Sequence, residues 1–158
     1  DKKIGFIENG FIDFKSRRLV SIIVSDGRLF PKLCIVPLKN IVYDKNRIYM
    51  SGPECHIKRK IYNRNIRFTI EGMIGRDVTN NDGKIIGEVE DVILNHLSGE
   101  LKAIICKRGF YDDLIRGKKV MLINEGLIIR EDRVIVSKSS IEMVCVMSFK
   151  NDFEEVEG

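Results

Sequence analysis

The sequence predicts an all-β chain made of two small β-barrels in tandem. Three observations carry that reading. Short runs of alternating apolar and polar residues are punctuated by Asp-Gly and Asn-rich turn signals. In the first fifty residues no window holds apolar side chains at helical spacing for long enough to argue a stable helix. Finally, a shift of 82 positions lays residues 2–24 on residues 84–106 without a gap.

Taken in order, residues 2–14 alternate turn-formers with β-branched and aromatic residues, and the polar turn Lys15–Arg18 leads into the apolar strand Leu19–Val24. Ser25-Asp26-Gly27 ends that strand. Leu33–Val36 and Ile41–Tyr43 are short strands separated by Pro37, which suits an edge or a strand end and not a central ladder. Asp44-Lys45-Asn46 turns the chain into the strand Arg47–Met50. Residues 52–70 read as a basic linker, with a strand or helical turn around Ile57–Tyr62.

The second half is clearer. Met73–Val78 reads as a strand and Asn80–Gly83 as its turn. Ile85, Gly87 and Val89 then share one face, Glu88 and Glu90 the other, until the apolar phase shifts at Asp91. A one-residue shift of this kind marks a β-bulge, which bends a strand enough to help close a barrel. Leu101–Cys106, Val120–Ile123, Leu127–Arg130, Val134–Ser137 and Ile141–Phe149 follow as strands, with one helical turn expected at Tyr111–Arg116 and an acidic tail at 151–158.

In the repeat, Gly5 falls on Gly87, Glu8 on Glu90, Ser16 on Ser98, Leu19 on Leu101 and Ile22 on Ile104. Later strands align once about four residues are added to the second copy: Ile35–Leu38 near Lys119–Leu122, and Asn46–Met50 near Asp132–Val136. A period near 80 describes tandem domains, not a solenoid of 20–50-residue units. The expected organisation is a first unit at 1–51, the basic linker at 52–70, a second unit at 71–150 and the tail. The chain opens at Asp1 and not at Met, and the first unit is expected to lack its N-terminal strand.

Composition bounds the class. The 158 residues are 44% hydrophobic and 32% charged, which is globular and not disordered. No apolar run approaches the roughly 18 residues of a membrane span. Cys34, Cys55, Cys106 and Cys145 are widely spaced with no CxxC pair, so a reduced, cytoplasmic protein is expected. Charge is divided unevenly: residues 1–70 hold 15 Lys/Arg against 6 Asp/Glu, and residues 71–158 hold 12 against 17. That asymmetry suggests an acidic partner for the first half or attraction between the halves.

The second unit resembles the PRC-barrel domain, the small barrel named after the H subunit of photosynthetic reaction centres. The resemblance lies in Gly75-Arg76-Asp77-Val78 with Asp82-Gly83, in Ile86-Gly87-Glu88-Val89 with Asp91-Val92, and in Gly99, the strand Leu101–Cys106 and the hairpin around Glu131-Asp132. Val36-Pro37-Leu38 of the first unit looks like the family's Val/Ile-Pro step, and the second unit has Met121 where the proline is expected. The resemblance covers nearly the whole chain and is closest to stand-alone tandem members of spore-forming bacteria. It implies an adaptor and no particular chemistry, because the motif is turn glycines and strand hydrophobics.

Candidate chemistry is sparse. Glu88, Glu90 and Asp91 lie on the polar side of an alternating strand and, like Asp112-Asp113, read as a solvated face and not an acid/base pair. Cys55-His56 lacks the partner spacing of a zinc site, and no cysteine has an evident base, so no metal, no cofactor, no small-molecule substrate and no catalysis is expected. What remains is the basic segment: Lys58, Arg59, Lys60, Arg64 and Arg67, interleaved with Tyr62 and followed by Phe68. Cations with a stacking aromatic suit phosphate backbones and unpaired bases. The same residues also suit an acidic protein partner, or a solvated strap neutralised by the second half. The expected role is a non-catalytic protein-binding or self-associating module, and the alternative is RNA or ribosome-assembly binding through the basic first half.

Overall fold

The structure is a computed structural model, described here for residues 5–44, 47–53, 55–108, 118–137 and 145–147. The expected helical turn at 111–116, the tail at 151–158 and most of the strand at 141–149 lie outside the described residues. The rest is mostly β. In the first half, β1 (Phe6–Asp13), β2 (Arg18–Ser25), β3 (Leu33–Pro37) and β6 (Cys55–Ile57) form one antiparallel sheet in that order. Strands β4 (Ile41–Asp44) and β5 (Arg47–Met50) form a separate hairpin. In the second half, β7 (Asp77–Asn80), β8 (Ile85–Leu94), β9 (Leu101–Lys107), β10 (Lys118–Leu122), β11 (Leu127–Ile129), β12 (Arg133–Val136) and β13 (Cys145–Met147) make one seven-stranded half-barrel sheet, ordered β11-β12-β7-β8-β9-β10-β13.

The two halves correspond pair by pair. Ile7↔Val24, Asn9↔Ile23 and Ile12↔Leu19 in β1–β2 become Val89↔Cys106, Asp91↔Ile105 and Leu94↔Leu101 in β8–β9 when 82 is added to each number. Both bulges move with them, Ile7/Asn9 onto Val89/Asp91 and Phe11/Ile12 onto Ile93/Leu94. The phase shift at Asp91 therefore is a bulge, and each bulge places a polar side chain back on its own backbone: Asn9 Oδ1 accepts from Gly10 N at 2.8 Å, and Asp91 Oδ1 from Val92 N at 2.7 Å. Further along, β10 pairs with β9 so that Met121 stands where Val36 does and Leu122 where Pro37 does. Leu122, not Met121, is the counterpart of the proline. The offset is therefore 85 at this strand, one more than the match of Ile35–Leu38 to Lys119–Leu122 implied. It reaches 86, the expected four added residues, where β4–β5 matches β11–β12.

Residues 52–70 are not a bare connector. They supply β6, then helix α1 (Arg59–Asn65), a 3-10 turn (Ile66–Phe68) and the start of helix α2 (Ile70–Met73). A seven-residue helix has little stability of its own. This one is held by Tyr62 and Ile66, one turn apart, which pack with Phe11, Ile23, Leu33, Ile35 and Ile57 on the outer face of the first sheet. Met73, expected to open a strand, instead ends α2, which is capped where the Thr69 hydroxyl accepts from Gly72 N.

A single apolar cluster runs through both halves. Ile12, Leu19, Ile22, Val24, Cys34 and Val36 of the first pack with Val78, Val89, Leu101, Ile104, Cys106, Val134 and Val136 of the second. The halves are also stitched by backbone. Leu19 N–H donates to the Gly99 carbonyl at 2.7 Å and Leu101 N–H donates to the Arg17 carbonyl at 3.0 Å, around an antiparallel bridge between Arg18 and Glu100. Adding 82 to each first-half residue exchanges the two bonds, so the junction has the form of a two-fold isologous contact. Gly99 has a φ of +72°, and a Cβ there would sit 2.4 Å from the Leu19 carbonyl oxygen, so the close approach requires glycine.

Candidate functional site

Strand β7 has no counterpart among the described residues. In the second half β7 lies between β8 and β12, antiparallel to the first (Val78↔Gly87) and parallel to the second (Val78↔Val134). Among the described residues of the first half nothing occupies the matching position: β1 is an edge strand, and β5, the counterpart of β12, pairs only with β4. The consequence is read in two pairs of side chains. Val89 and Val134 are 0% exposed, while their counterparts Ile7 and Ile48 are 52% and 49% exposed.

Between Ile7 and Ile48 opens an apolar groove of about 550 Å³, walled by Tyr43 of β4, Ile70 and Ile74 at α2, and Leu94 of β8. Its charged lining residues are Glu8 and Glu71; His96 sits at the far end, with its ring edge-on to Tyr43 at 4.9 Å. Glu8 pairs with Arg59 at 2.8 Å. Glu71, itself exposed, joins a polar cluster whose other members, Asn9, Tyr62 and Thr69, are buried. Asn9 Nδ2 donates to the Tyr62 hydroxyl (2.8 Å), to Thr69 Oγ1 (3.1 Å) and to Glu71 Oε2 (2.9 Å), and Tyr62 itself donates to Glu71 Oε2 at 3.2 Å. Burial raises the Tyr62 phenol above its ordinary value, with the Glu71 charge adding to the effect. The cluster fixes the β1 edge, because Asn9 follows Glu8, the residue left unpaired at the bulge, and Thr69 bridges to Phe11.

In the second half the corresponding place is closed by Arg76, just ahead of β7. Its guanidinium is buried, donates to the carbonyls of Gly72, Arg67 and Arg130, and lies over the Phe14 ring at 4.9 Å. Burial lowers its pKa, while Asp132 and Glu131 oppose the shift. Neither the groove nor the Asn9 cluster is signalled by a sequence motif. The signal was the repeat itself, once its missing strand is set against the geometry of the strand that is present.

The basic residues singled out from the sequence divide. Lys58, Arg59, Lys60, Arg64 and Arg67 are all exposed on α1 and its flanks. Arg59 is engaged by Glu8, and Arg67 reaches Glu131 of the second half at 3.4 Å and covers the Phe68 ring. Tyr62 is not a surface aromatic. It is buried against the first sheet with its ring edge-on to Phe11 at 6.3 Å, so it is not available for stacking on a base or touching a partner. Its position three residues into a helix whose cations face outward is the reason. Cys55 and His56 lie exposed on the edge strand β6, and Cys34, Cys55 and Cys106 are thiols. Among the described residues no three His, Cys, Asp or Glu side chains converge as metal ligands, and no helix is long and apolar enough to cross a membrane. Glu88 pairs with Lys107 at 3.3 Å on the solvent side of β8, while Asp112 and Asp113 lie outside the described residues.

No curated protein matches the chain. A family model for the PRC-barrel domain does, over residues 1–56 and again over 66–140, the two stretches that hold the matching pairs β1–β2 and β8–β9. The chain belongs to the PRC-barrel family.

Proposed function

We propose that the chain is a tandem of two PRC-type barrels and that it works as a non-catalytic cytoplasmic adaptor. It captures an extended segment of a partner protein in the groove that β7 fills in the second copy. The observation that carries this reading is the contrast between Ile7 and Ile48, half exposed, and their buried counterparts Val89 and Val134. An added strand runs antiparallel to β1 and parallel to β5, takes its affinity from main-chain hydrogen bonds and its specificity from alternate side chains. Covering Ile7 and Ile48 removes apolar area from water on binding. The acidic lining, Glu8 and Glu71, favours a segment with a basic residue near its start, as Arg76 stands before β7.

The test uses a labelled peptide with the sequence of residues 73–82, MIGRDVTNND, titrated against the full chain. Saturable binding that is lost in Ile48→Lys, and lost when the peptide carries lysine in place of Val78, supports the groove. Appending the same ten residues directly before Asp1 fills the groove from within and abolishes binding of the free peptide. Absence of saturable binding, or binding indifferent to Ile48→Lys, removes the reading.

A second reading is RNA or ribosome-assembly binding through the basic first half. It retains the five exposed cations and loses the aromatic that would have stacked on bases. RNA affinity that falls steeply with salt and disappears in the Lys58→Glu/Arg59→Glu/Lys60→Glu variant would favour it.

A further inference from the structure

The most exposed large apolar side chains among the described residues are not among those lining the groove and stand side by side: Leu29 at 90% and Phe30 at 87%. They sit at the tip of the loop joining β2 to β3, and that loop is cinched at its neck. Asp26 N–H donates to the Lys32 carbonyl at 3.3 Å, while Asp26 Oδ1 accepts from Arg28 N at 3.3 Å and Lys32 N at 3.1 Å. Gly27, with a φ of +72°, turns the chain there, and Ser25 Oγ accepts from its N–H. The neck is built and the tip is bare.

Cations surround the tip. Arg28 and Lys32 flank it in sequence. Beside Pro31 and Lys32 a shallow groove of about 610 Å³ runs along β6 to Lys58 and Arg59 at the start of α1. Arg28 is held by Asp26 and Arg59 by Glu8, whereas Lys32 and Lys58 face no carboxylate among the described residues. An apolar pair on a convex tip, ringed by Lys and Arg, matches an acidic bilayer surface: the apolar residues enter the headgroup boundary and the lysines meet lipid phosphates. A protein partner would call for a broader contiguous apolar patch, and RNA would make no use of Leu29.

We propose that the Leu29-Phe30 tip, with Lys32 and Lys58 beside it, docks this chain on an anionic phospholipid surface. The experiment is sedimentation of the full chain with phosphatidylcholine vesicles, with and without phosphatidylglycerol. The chain should sediment only with the anionic vesicles. Both Leu29→Ser/Phe30→Ser and Lys32→Glu/Lys58→Glu should reduce the bound fraction about tenfold, as expected when apolar and electrostatic contributions act together. All four side chains are exposed, so melting temperatures should stay at the parent value. The sequence has no tryptophan, so Phe30→Trp places a single reporter at the tip, and its emission should shift to the blue on anionic vesicles. No binding to anionic vesicles overturns the proposal. So does binding that depends on the lysines and not on the tip, which would mark a simple polyanion site, RNA included. The peptide titration at the β1 groove is independent of either result.

Discussion

Ile7 and Val89 hold the same place at the head of matching bulged strands, one paired with Val24 and the other with Cys106, yet only Val89 is covered. The difference is that β7 runs beside Val89, while no described strand runs beside Ile7.

That difference is measurable as stability. Val134→Ala removes two buried methyl groups beside β7 and should cost about 2–3 kcal/mol, the range for a core truncation that leaves a cavity. Ile48→Ala, its counterpart, should cost well under about 1 kcal/mol, because a half-exposed side chain yields little burial. Urea denaturation of the two variants checks the contrast, and equal losses would mean that the groove is filled.

The junction between the halves makes a sharper demand. Gly99→Ala meets both a left-handed backbone and a carbonyl oxygen at 2.4 Å, so a loss of about 2–4 kcal/mol is expected in chemical denaturation. Because one apolar cluster spans both halves, the parent should unfold in a single calorimetric transition. Two separated transitions would show the halves to be independent.

Tyr62→Phe deletes the hydroxyl that accepts from Asn9 and donates to Glu71. It should cost about 0.5–1.5 kcal/mol at neutral pH, the net worth of a hydrogen bond, because Asn9 keeps Thr69 and Glu71 as acceptors and Glu71 is exposed. Asn9→Ala should cost at least as much, since it removes contacts to Tyr62, Thr69 and Glu71 together.

The same tyrosine predicts a pH dependence. Burial raises its folded pKa above the unfolded value of 10.0. Above that pH the unfolded chain sheds a proton that the folded chain keeps, so the stability it confers is full below pH 10.0 and declines as pH climbs toward the folded pKa. Urea midpoints measured across the alkaline range should fall faster in the parent than in Tyr62→Phe, and parallel curves would contradict the assignment.

Much of this architecture was legible in the sequence because alternation and turn chemistry are local. The Asp91 phase shift announced a bulge, and the 82-residue offset announced the pairing of β1–β2 with β8–β9. The strand or helical turn expected around Ile57–Tyr62 is realised as β6 and α1. The reach of α1 to Asn65 and the whole of α2 went unread because both helices are too short for periodicity to declare itself, and their helicity comes from contacts of Tyr62, Ile66 and Met73 made elsewhere in the chain. For the same reason Tyr62, surrounded by cations in sequence, looked like a surface aromatic. The groove was invisible because it is defined by comparison with β7, and Ile7 and Ile48 are ordinary strand residues until their counterparts are seen buried.

The junction of Arg17 with Gly99 also bears on the chain's history. Both residues have positive φ, at 55° and 72°, but Arg17 carries a side chain out to the Asn124 carbonyl at 2.6 Å, while Leu38 packs where a side chain on Gly99 would go. A symmetric contact has thus become handed: each partner has adapted to one neighbour only. Two copies of the first half could not clasp each other as the first clasps the second, because neither would offer the bare turn that the other needs. The inequality of the halves is therefore part of the fold, and the first half alone would not rebuild this junction by self-assembly.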